Sequence, residues 1–194
     1  MMKDSLFYSK ILLFGEYGII QDAMGLSIPY NFYKGKFHLP EDKYSESNEH
    51  LRTYFTYLSY LDVSGKAVAK LNLVRFKSDL KNGLAFDSTI PQGFGVGSSG
   101  ALVAAIYNEY AIDKIDAENI NKTELTELKQ IFGQMESHFH GKSSGLDPLI
   151  CYLNLPVIIK SKEDLNTVGL PSQKVDSQGA IFLLNTNEPG ETQP

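Results

Sequence analysis

The stretch Pro91-Gln92-Gly93-Phe94-Gly95-Val96-Gly97-Ser98-Ser99-Gly100-Ala101 follows a segment that reads as a strand, Gly83 to Ile90, and opens one that reads as a helix, Ala101 to Ala111. Glycines at every second position permit a tight backbone that a ligand can approach closely. The helix that follows aims its unpaired N–H groups and the positive end of its dipole at the same spot. Such a corner suits an anion, and phosphate is the usual one. Pro91, Gly93, Gly95, Val96, Gly97, Ser98, Ser99 and Gly100 are the candidate residues of such an anion site, and the two serine hydroxyls can reach a phosphate or a metal. No Gly-Lys-Ser/Thr ends the stretch, so it is not a Walker A loop. Nor does it have the spacing of the dinucleotide fingerprint, and no βαβ unit with a downstream acidic residue accompanies it. Taken alone, such a stretch serves equally well as a plain turn.

Working outward from the loop, Leu6 to Phe14 reads as a strand broken by Gly15. Leu26 to Phe37 reads as a second strand, with Pro29 marking an edge or a bulge. Pro40 to His50 is polar and reads as a surface loop. Leu51, Phe55, Leu58 and Leu61 fall at helical spacing. Val68 to Phe76 reads as a strand. Asn121 and Glu124 have the spacing of a capping box. In the helix they open, Leu125, Leu128, Phe132, Met135 and Phe139 make one apolar stripe. Leu155 to Ile159 and Ala180 to Leu184 read as strands, and Lys162 to Gln178 reads as loop. Strands come first, then helices mixed with strands, which favours an α+β fold over a doubly wound parallel sheet. Neither a repeat nor a linker between two domains is evident.

Composition narrows the function classes. The 194 residues carry 18 Lys plus Arg against 23 Asp plus Glu, a net charge of −5. That balance disfavours a general nucleic-acid binder while leaving room for a phosphate site built from backbone amides and one or two cations. Hydrophobic residues make up 42% of the chain, enough for a packed core. The apolar runs are short of the roughly 20 residues that span a bilayer, and the N-terminus lacks a secretory signal's apolar core; no membrane partner is expected. A single cysteine, Cys151, excludes an intrachain disulfide and suits a reducing, cytoplasmic setting. In its Leu149-Ile150-Cys151-Tyr152-Leu153 surroundings it reads as a small buried residue with no catalytic role.

A second informative segment is Glu136-Ser137-His138-Phe139-His140-Gly141-Lys142-Ser143-Ser144-Gly145-Leu146-Asp147. Glu136 lies at the edge of the apolar stripe and points partly inward, where a carboxylate wants a metal, a cation or a proton. The alternative is a solvated helix face. Asp147 follows a turn and precedes Pro148, so it reads as an N-cap for a helix starting at Pro148, as a group that converges with Glu136, eleven residues earlier, on one site, or as both. His138 and His140 stand two residues apart, on different sides of a helix, unlike a zinc-binding pair. Lys10 begins an apolar strand, where a lysine can also simply snorkel to water.

Taken together these segments resemble the GHMP kinases. The glycine loop is similar to that family's phosphate loop, with Gly100 where the family usually has Ala. Glu136, His140, Gly141, Ser144, Gly145 and Asp147 fall in register with the mevalonate kinase stretch Glu-x-x-x-His-Gly-x-Pro-Ser-Gly-x-Asp, with Ser143 at the family's Pro. Ser9 to Gly18 resembles the first motif of the family, with Lys10 and Glu16 in register and Tyr17 where mevalonate kinases usually have His; phosphomevalonate kinases also carry Gly-Glu-Tyr. Leu184 to Thr192 resembles a further mevalonate kinase stretch, Asn-Thr-x-x-Pro-x-x-Thr.

The resemblance implies a GHMP N-terminal domain over residues 1–194, a mixed sheet backed by helices, whose last strand near 180–194 leads toward an absent C-terminal domain. It implies an ATP- and Mg²⁺-dependent kinase for a small-molecule alcohol, with mevalonate the leading substrate and phosphomevalonate, homoserine or a sugar as alternatives within the fold. A non-catalytic ligand-binding relative is the alternative outside enzymology. It also implies roles: Asp147 as catalytic base, Lys10 beside the reacting hydroxyl, Ser99 and Glu136 as the Mg²⁺ ligands, and Glu16, Tyr17, His140 and Gly145 near the substrate. An interface left open by the absent domain leaves room for a homodimer.

Overall fold

The computed structural model describes residues 5–15, 24–40, 46–161 and 164–169. Two long strands, β1 (Phe7–Phe14) and β2 (Gly25–His38), pair antiparallel. Three short strands join them among the described residues: β3 (Ala85–Ser88), β4 (Val157–Ile159) and β5 (Leu165–Thr167). Its order is β1-β2-β4-β5, with β3 beside β2 on the same side as β4. Every pairing among the described residues is antiparallel, where a mixed sheet was expected. Strand β5 lies inside a stretch expected to be loop.

Pro29 shows how the long strand tolerates a missing donor. It faces Lys10 in the ladder. The Lys10 N–H points the other way, to the Val96 carbonyl at 3.0 Å, so this is a non-hydrogen-bonded pair that asks no N–H of Pro29. Along β2, β4 covers Gly25 to Ser27 and β3 covers Gly35 to His38, so Pro29 falls between the two on that side. The register slips by several residues between Tyr8 and Ser9, giving both the local edge and the bulge that Pro favours.

Five helices among the described residues pack with the sheet: α1 (Glu46–Val63), α2 (Leu73–Lys81), α3 (Ser98–Tyr110), α4 (Lys122–His140) and α5 (Leu146–Leu153). Among the described residues none is long and apolar enough to cross a membrane. The strand expected over Val68 to Phe76 is instead an isolated bridge, Leu71 to Ala111, followed by α2. Asn72 caps that helix by accepting from the Arg75 N–H. Phe76 and Leu80, one turn apart, are its buried face. The helix ends against α1, where Asn48 donates to the Leu80 and Leu84 carbonyls and Arg52 donates to Leu80 as well.

Asn121 and Glu124 form the full capping box of α4. Leu125, Leu128, Phe132 and Met135 are buried along its stripe, while Phe139 is left partly in solvent. They join Tyr54, Phe76, Tyr107, Tyr110, Leu149 and Ile150 in the main core. A second cluster, Phe7, Ile90, Val96, Ala101, Ala104, Ala105 and Cys151, seals the glycine loop and α3 onto β1 and α5. That smaller core is what fixes the loop relative to Lys10 on β1 and Asp147 on α5.

Candidate active site

The loop bends on Gly93, Gly95 and Gly97, all at positive φ. Gly97 is the N-cap of α3, in the left-handed region, with no side-chain hydrogen bond. A Cβ there would stand 2.9 Å from Lys10 Cγ and 3.3 Å from Cys151 Sγ. The first intrahelical bond of α3 runs from the Ala101 N–H to the Gly97 carbonyl. The amides of Ser98, Ser99 and Gly100 thus lie in the first turn, where a helix has donors with no partner of its own.

Helix α5 starts beside it, capped by Gly145 in the left-handed region. The cap is Gly145 and not Asp147, which lies in the first turn. The alternative reading of Asp147 as an N-cap therefore fails, because the helix begins two residues before Pro148. A Cβ on Gly100 would come within 2.8 Å of the Asp147 carbonyl carbon and 2.9 Å of the Pro148 nitrogen. Two helix N-termini therefore converge at Gly100 and Asp147, and both dipoles present their positive ends to this region.

Lys10 closes the corner from the sheet. Its residue exposure is 7%, and its Nζ lies 2.9 Å from Asp147 Oδ1. The Asp147 side chain remains 36% exposed, so one face of the pair is open to an incoming molecule.

Glu136 projects into the same region from α4 at 4% exposure, which disposes of the solvated-face alternative. Ser99 Oγ donates to its Oε1 at 2.9 Å and Ser143 Oγ donates to its Oε2 at 2.5 Å. Burial, with the Asp147 charge adding to it, raises the Glu136 carboxyl from its ordinary 4.5 to about 7, against the opposing pull of the two serines and Lys10. Ser99 Oγ also lies within hydrogen-bond distance of His140 Nε2, at 3.1 Å. His140 meets the loop serine, then, while His138 turns to the other side and sits among Tyr54, Tyr57 and Phe139, its imidazole pushed down by burial.

Ser143 was not singled out by the sequence beyond its departure from the family's Pro. Its hydroxyl bridges Glu136 and the Gly145 N–H, from which it accepts at 3.0 Å. The turn at 143–145 lies directly on α4: a Cβ on Gly145 would meet the Lys129 carbonyl oxygen and the Gly133 nitrogen, and one on Gly133 would meet the Ser143 carbonyl. Such a contact between a loop and a helix backbone leaves no mark in sequence except the glycines themselves. Pro91 and Gly93 open the loop, and Val96 is buried beneath it. Glu16, Tyr17 and the stretch Leu184 to Thr192 lie outside the described residues, as does the strand expected over Ala180 to Leu184.

The arrangement fits a hard divalent cation. Ser99 Oγ and the Glu136 carboxylate, hydrogen-bonded to each other, are the oxygens on one side of the loop that could hold it. Among the described residues no group of three His, Cys, Asp or Glu side chains is placed to hold a metal alone. A pair of protein oxygens completed by phosphates and water is the coordination Mg²⁺ favours in nucleotide sites.

Residues 64–154 match the family model described as the GHMP kinases N terminal domain. The match covers just under half of the chain and includes the glycine loop, Glu136, Ser143 and Asp147. Among solved structures, the mevalonate kinase from methicillin-resistant Staphylococcus aureus MRSA252 is similar at 19% identity and a TM-score of 0.45, over 84% of this chain and 54% of that one. The L. major mevalonate kinase in complex with R-mevalonate is similar at 18% identity and a TM-score of 0.43, over 81% and 48%. The chain thus spans about half the length of these kinases. No curated protein matches it in sequence. Over residues 64–154, which hold the loop and both carboxylates of the site, the chain is similar to the GHMP kinase N-terminal domain.

Proposed function

We propose that the chain is the nucleotide- and acceptor-binding part of a kinase that transfers the γ-phosphoryl of ATP to a small-molecule alcohol. The observation that carries this reading is the Lys10–Asp147 pair at 2.9 Å, with Lys10 buried and Asp147 partly open to solvent, beside the N-terminus of α3 and its glycine loop. A carboxylate next to a fixed ammonium, within reach of an anion-binding corner, suits deprotonation of a hydroxyl beside a phosphate.

In the proposed reaction the amides of Ser98, Ser99 and Gly100 bind phosphate oxygens, and the dipole of α3 offsets their charge. Asp147 accepts the proton of the acceptor hydroxyl as that oxygen attacks the γ-phosphorus in line and ADP leaves. Lys10 holds the Asp147 carboxylate in place through their ion pair and stabilises negative charge building on the attacking oxygen. Ser99 Oγ and Glu136 are the residues that would hold Mg²⁺, which when bound supplies charge neutralisation at the phosphate oxygens. Catalysis in this scheme is mostly positioning and electrostatics.

For the acceptor we propose mevalonate. The reading rests on the Glu136 to Asp147 stretch and on Leu184 to Thr192, both similar to mevalonate kinase sequences; Tyr17 is the residue that speaks for phosphomevalonate instead. Glu16, Tyr17, His140 and Gly145 are the proposed acceptor-side residues, and the cytoplasm, where Cys151 would stay reduced, is the proposed setting. The test is ADP release from ATP and Mg²⁺ with mevalonate, phosphomevalonate, homoserine and galactose offered in parallel. Turnover with mevalonate alone supports the whole reading. Turnover with a different alcohol keeps the mechanism and replaces the acceptor. ATP binding without turnover on any of them favours a non-catalytic ligand-binding relative.

A further inference from the structure

We propose that Ser143 is a positioning residue for the cation: its hydroxyl pins one oxygen of Glu136 and so leaves the other, beside Ser99, aimed at the metal. This inference rests on the phosphoryl-transfer reading above.

Glu136 sits on a helix and has a flexible side chain, yet both its oxygens are assigned. Oε1 takes the hydrogen bond of Ser99 and Oε2 takes that of Ser143. The two serines come from different segments, one from the start of α3 and one from the turn before α5. Ser99 belongs to the phosphate loop, so the Oε1 side faces the nucleotide. The Ser143 hydroxyl is itself held, because its oxygen accepts the Gly145 N–H. Gly145 in turn rests on the α4 backbone at Lys129 and Gly133, less than two turns before Glu136. The chain of contacts closes on itself: α4 supports the turn, the turn holds Ser143, and Ser143 orients a side chain of α4. A ligand carboxylate oriented by a second hydrogen bond binds metal more tightly, and loss of such a partner typically weakens binding about 10- to 100-fold. Proline at this position, as in the resembling stretch, offers no hydroxyl, so the device belongs to this chain's own sequence.

The experiment is calorimetric titration of the 194-residue chain with ATP, once with Mn²⁺ and once with EDTA, for wild type, Ser143→Ala, Ser143→Thr, Glu136→Gln and the Ser143→Ala/Glu136→Gln double variant. The quantity read is the ratio of ATP affinity with metal to that without. The expected result is a ratio lowered about tenfold in Ser143→Ala, restored in Ser143→Thr, and no lower in the double variant than in Glu136→Gln. Affinity in EDTA stays at the wild-type value in Ser143→Ala and Ser143→Thr. If Ser143→Ala keeps the wild-type ratio, or lowers it equally on the Glu136→Gln background, Ser143 does not act through Glu136 and the inference falls. Should Ser143→Ala prove unfolded, the Ser143→Thr and Ser143→Cys ratios decide: a weak thiol donor must fall below the hydroxyl. Absence of any metal-dependent ATP binding in wild type overturns the phosphoryl-transfer reading itself, a result distinct from an unchanged ratio in the variants.

Discussion

Gly100 and Asp147 are in backbone contact: a Cβ added to Gly100 would stand 2.8 Å from the Asp147 carbonyl carbon and 3.1 Å from its Cβ. The start of α3 therefore sets the position of the carboxylate on α5, and the absence of a side chain at 100 is what lets the two helices meet. Ala is the residue the resembling phosphate loops usually carry here, so the Gly in this chain is matched to a closer approach.

Gly100→Ala should separate the two helix ends. The methyl group would strike backbone rather than a flexible side-chain tip, and overpacking of this kind costs about 1–3 kcal/mol. The expected outcome is a lower urea midpoint together with a lower kcat, since Asp147 moves with α5. An unchanged or raised midpoint would show that α5 gives way freely and that Gly100 does not fix it.

Asp147→Asn keeps the shape of the side chain and removes the proton acceptor. On the proposed mechanism kcat drops about 10²- to 10⁴-fold, while the affinity for ATP changes little. Lys10→Met should lower kcat as well, and its folding cost should be smaller than that of an unpaired buried charge because the methionine fills the same space. Near-full turnover in Asp147→Asn would remove Asp147 as the base.

The Glu136 carboxyl, raised to about 7, makes stability depend on pH in a defined direction. The folded state binds its proton more tightly than the unfolded state, so unfolding free energy is highest below the ordinary carboxylate value and falls as pH rises through about 7. Without metal, the urea midpoint of wild type should decrease between pH 5 and 8, by the equivalent of roughly 3 kcal/mol at most. Glu136→Gln carries no titrating group and should flatten that decrease. Parallel pH profiles for the two proteins would mean that Glu136 stays ionised in the fold.

Much of this architecture is legible in the sequence because it rests on local signals. Asn121 and Glu124 announce α4 by their own side-chain chemistry, and Leu125 to Met135 repeat at the helical period. The glycine loop needs positive φ, and glycines supply it. Helix α2 was hidden because Val68, Leu71, Leu73 and Phe76 mix apolar and polar neighbours as a strand does. Only the packing of Phe76 and Leu80 against α1 and α3 decides for a helix. The Asn72 cap was the available local clue. Within the site, the roles of Lys10 and Asp147 came from resemblance, and their separation could be known only from the fold. Ser143 was unreadable for a different reason: its two hydrogen bonds depend on a turn folding back onto Gly133, a contact between segments that no spacing rule encodes.

That turn supplies a last prediction, from two glycines of similar backbone conformation and different surroundings. Gly65 has φ +67 and Gly145 φ +75. A Cβ on Gly65 meets nothing within 4 Å, whereas one on Gly145 would run into the Lys129 carbonyl oxygen and stand 2.5 Å from the Gly133 nitrogen. Gly65→Ala should cost only the left-handed strain, about 1–2 kcal/mol, and leave ATP binding untouched. Gly145→Ala carries that strain and a collision with helix backbone that no rotamer relieves. It should lower the urea midpoint well beyond Gly65→Ala, and any folded fraction should lose metal-dependent ATP binding, because lifting the turn off α4 withdraws Ser143 from Glu136 and shifts Asp147 at once. Equal midpoints for the two variants would show that the turn at 143–145 does not rest on α4, and the coupling between Glu136 and Asp147 through that turn would go with it.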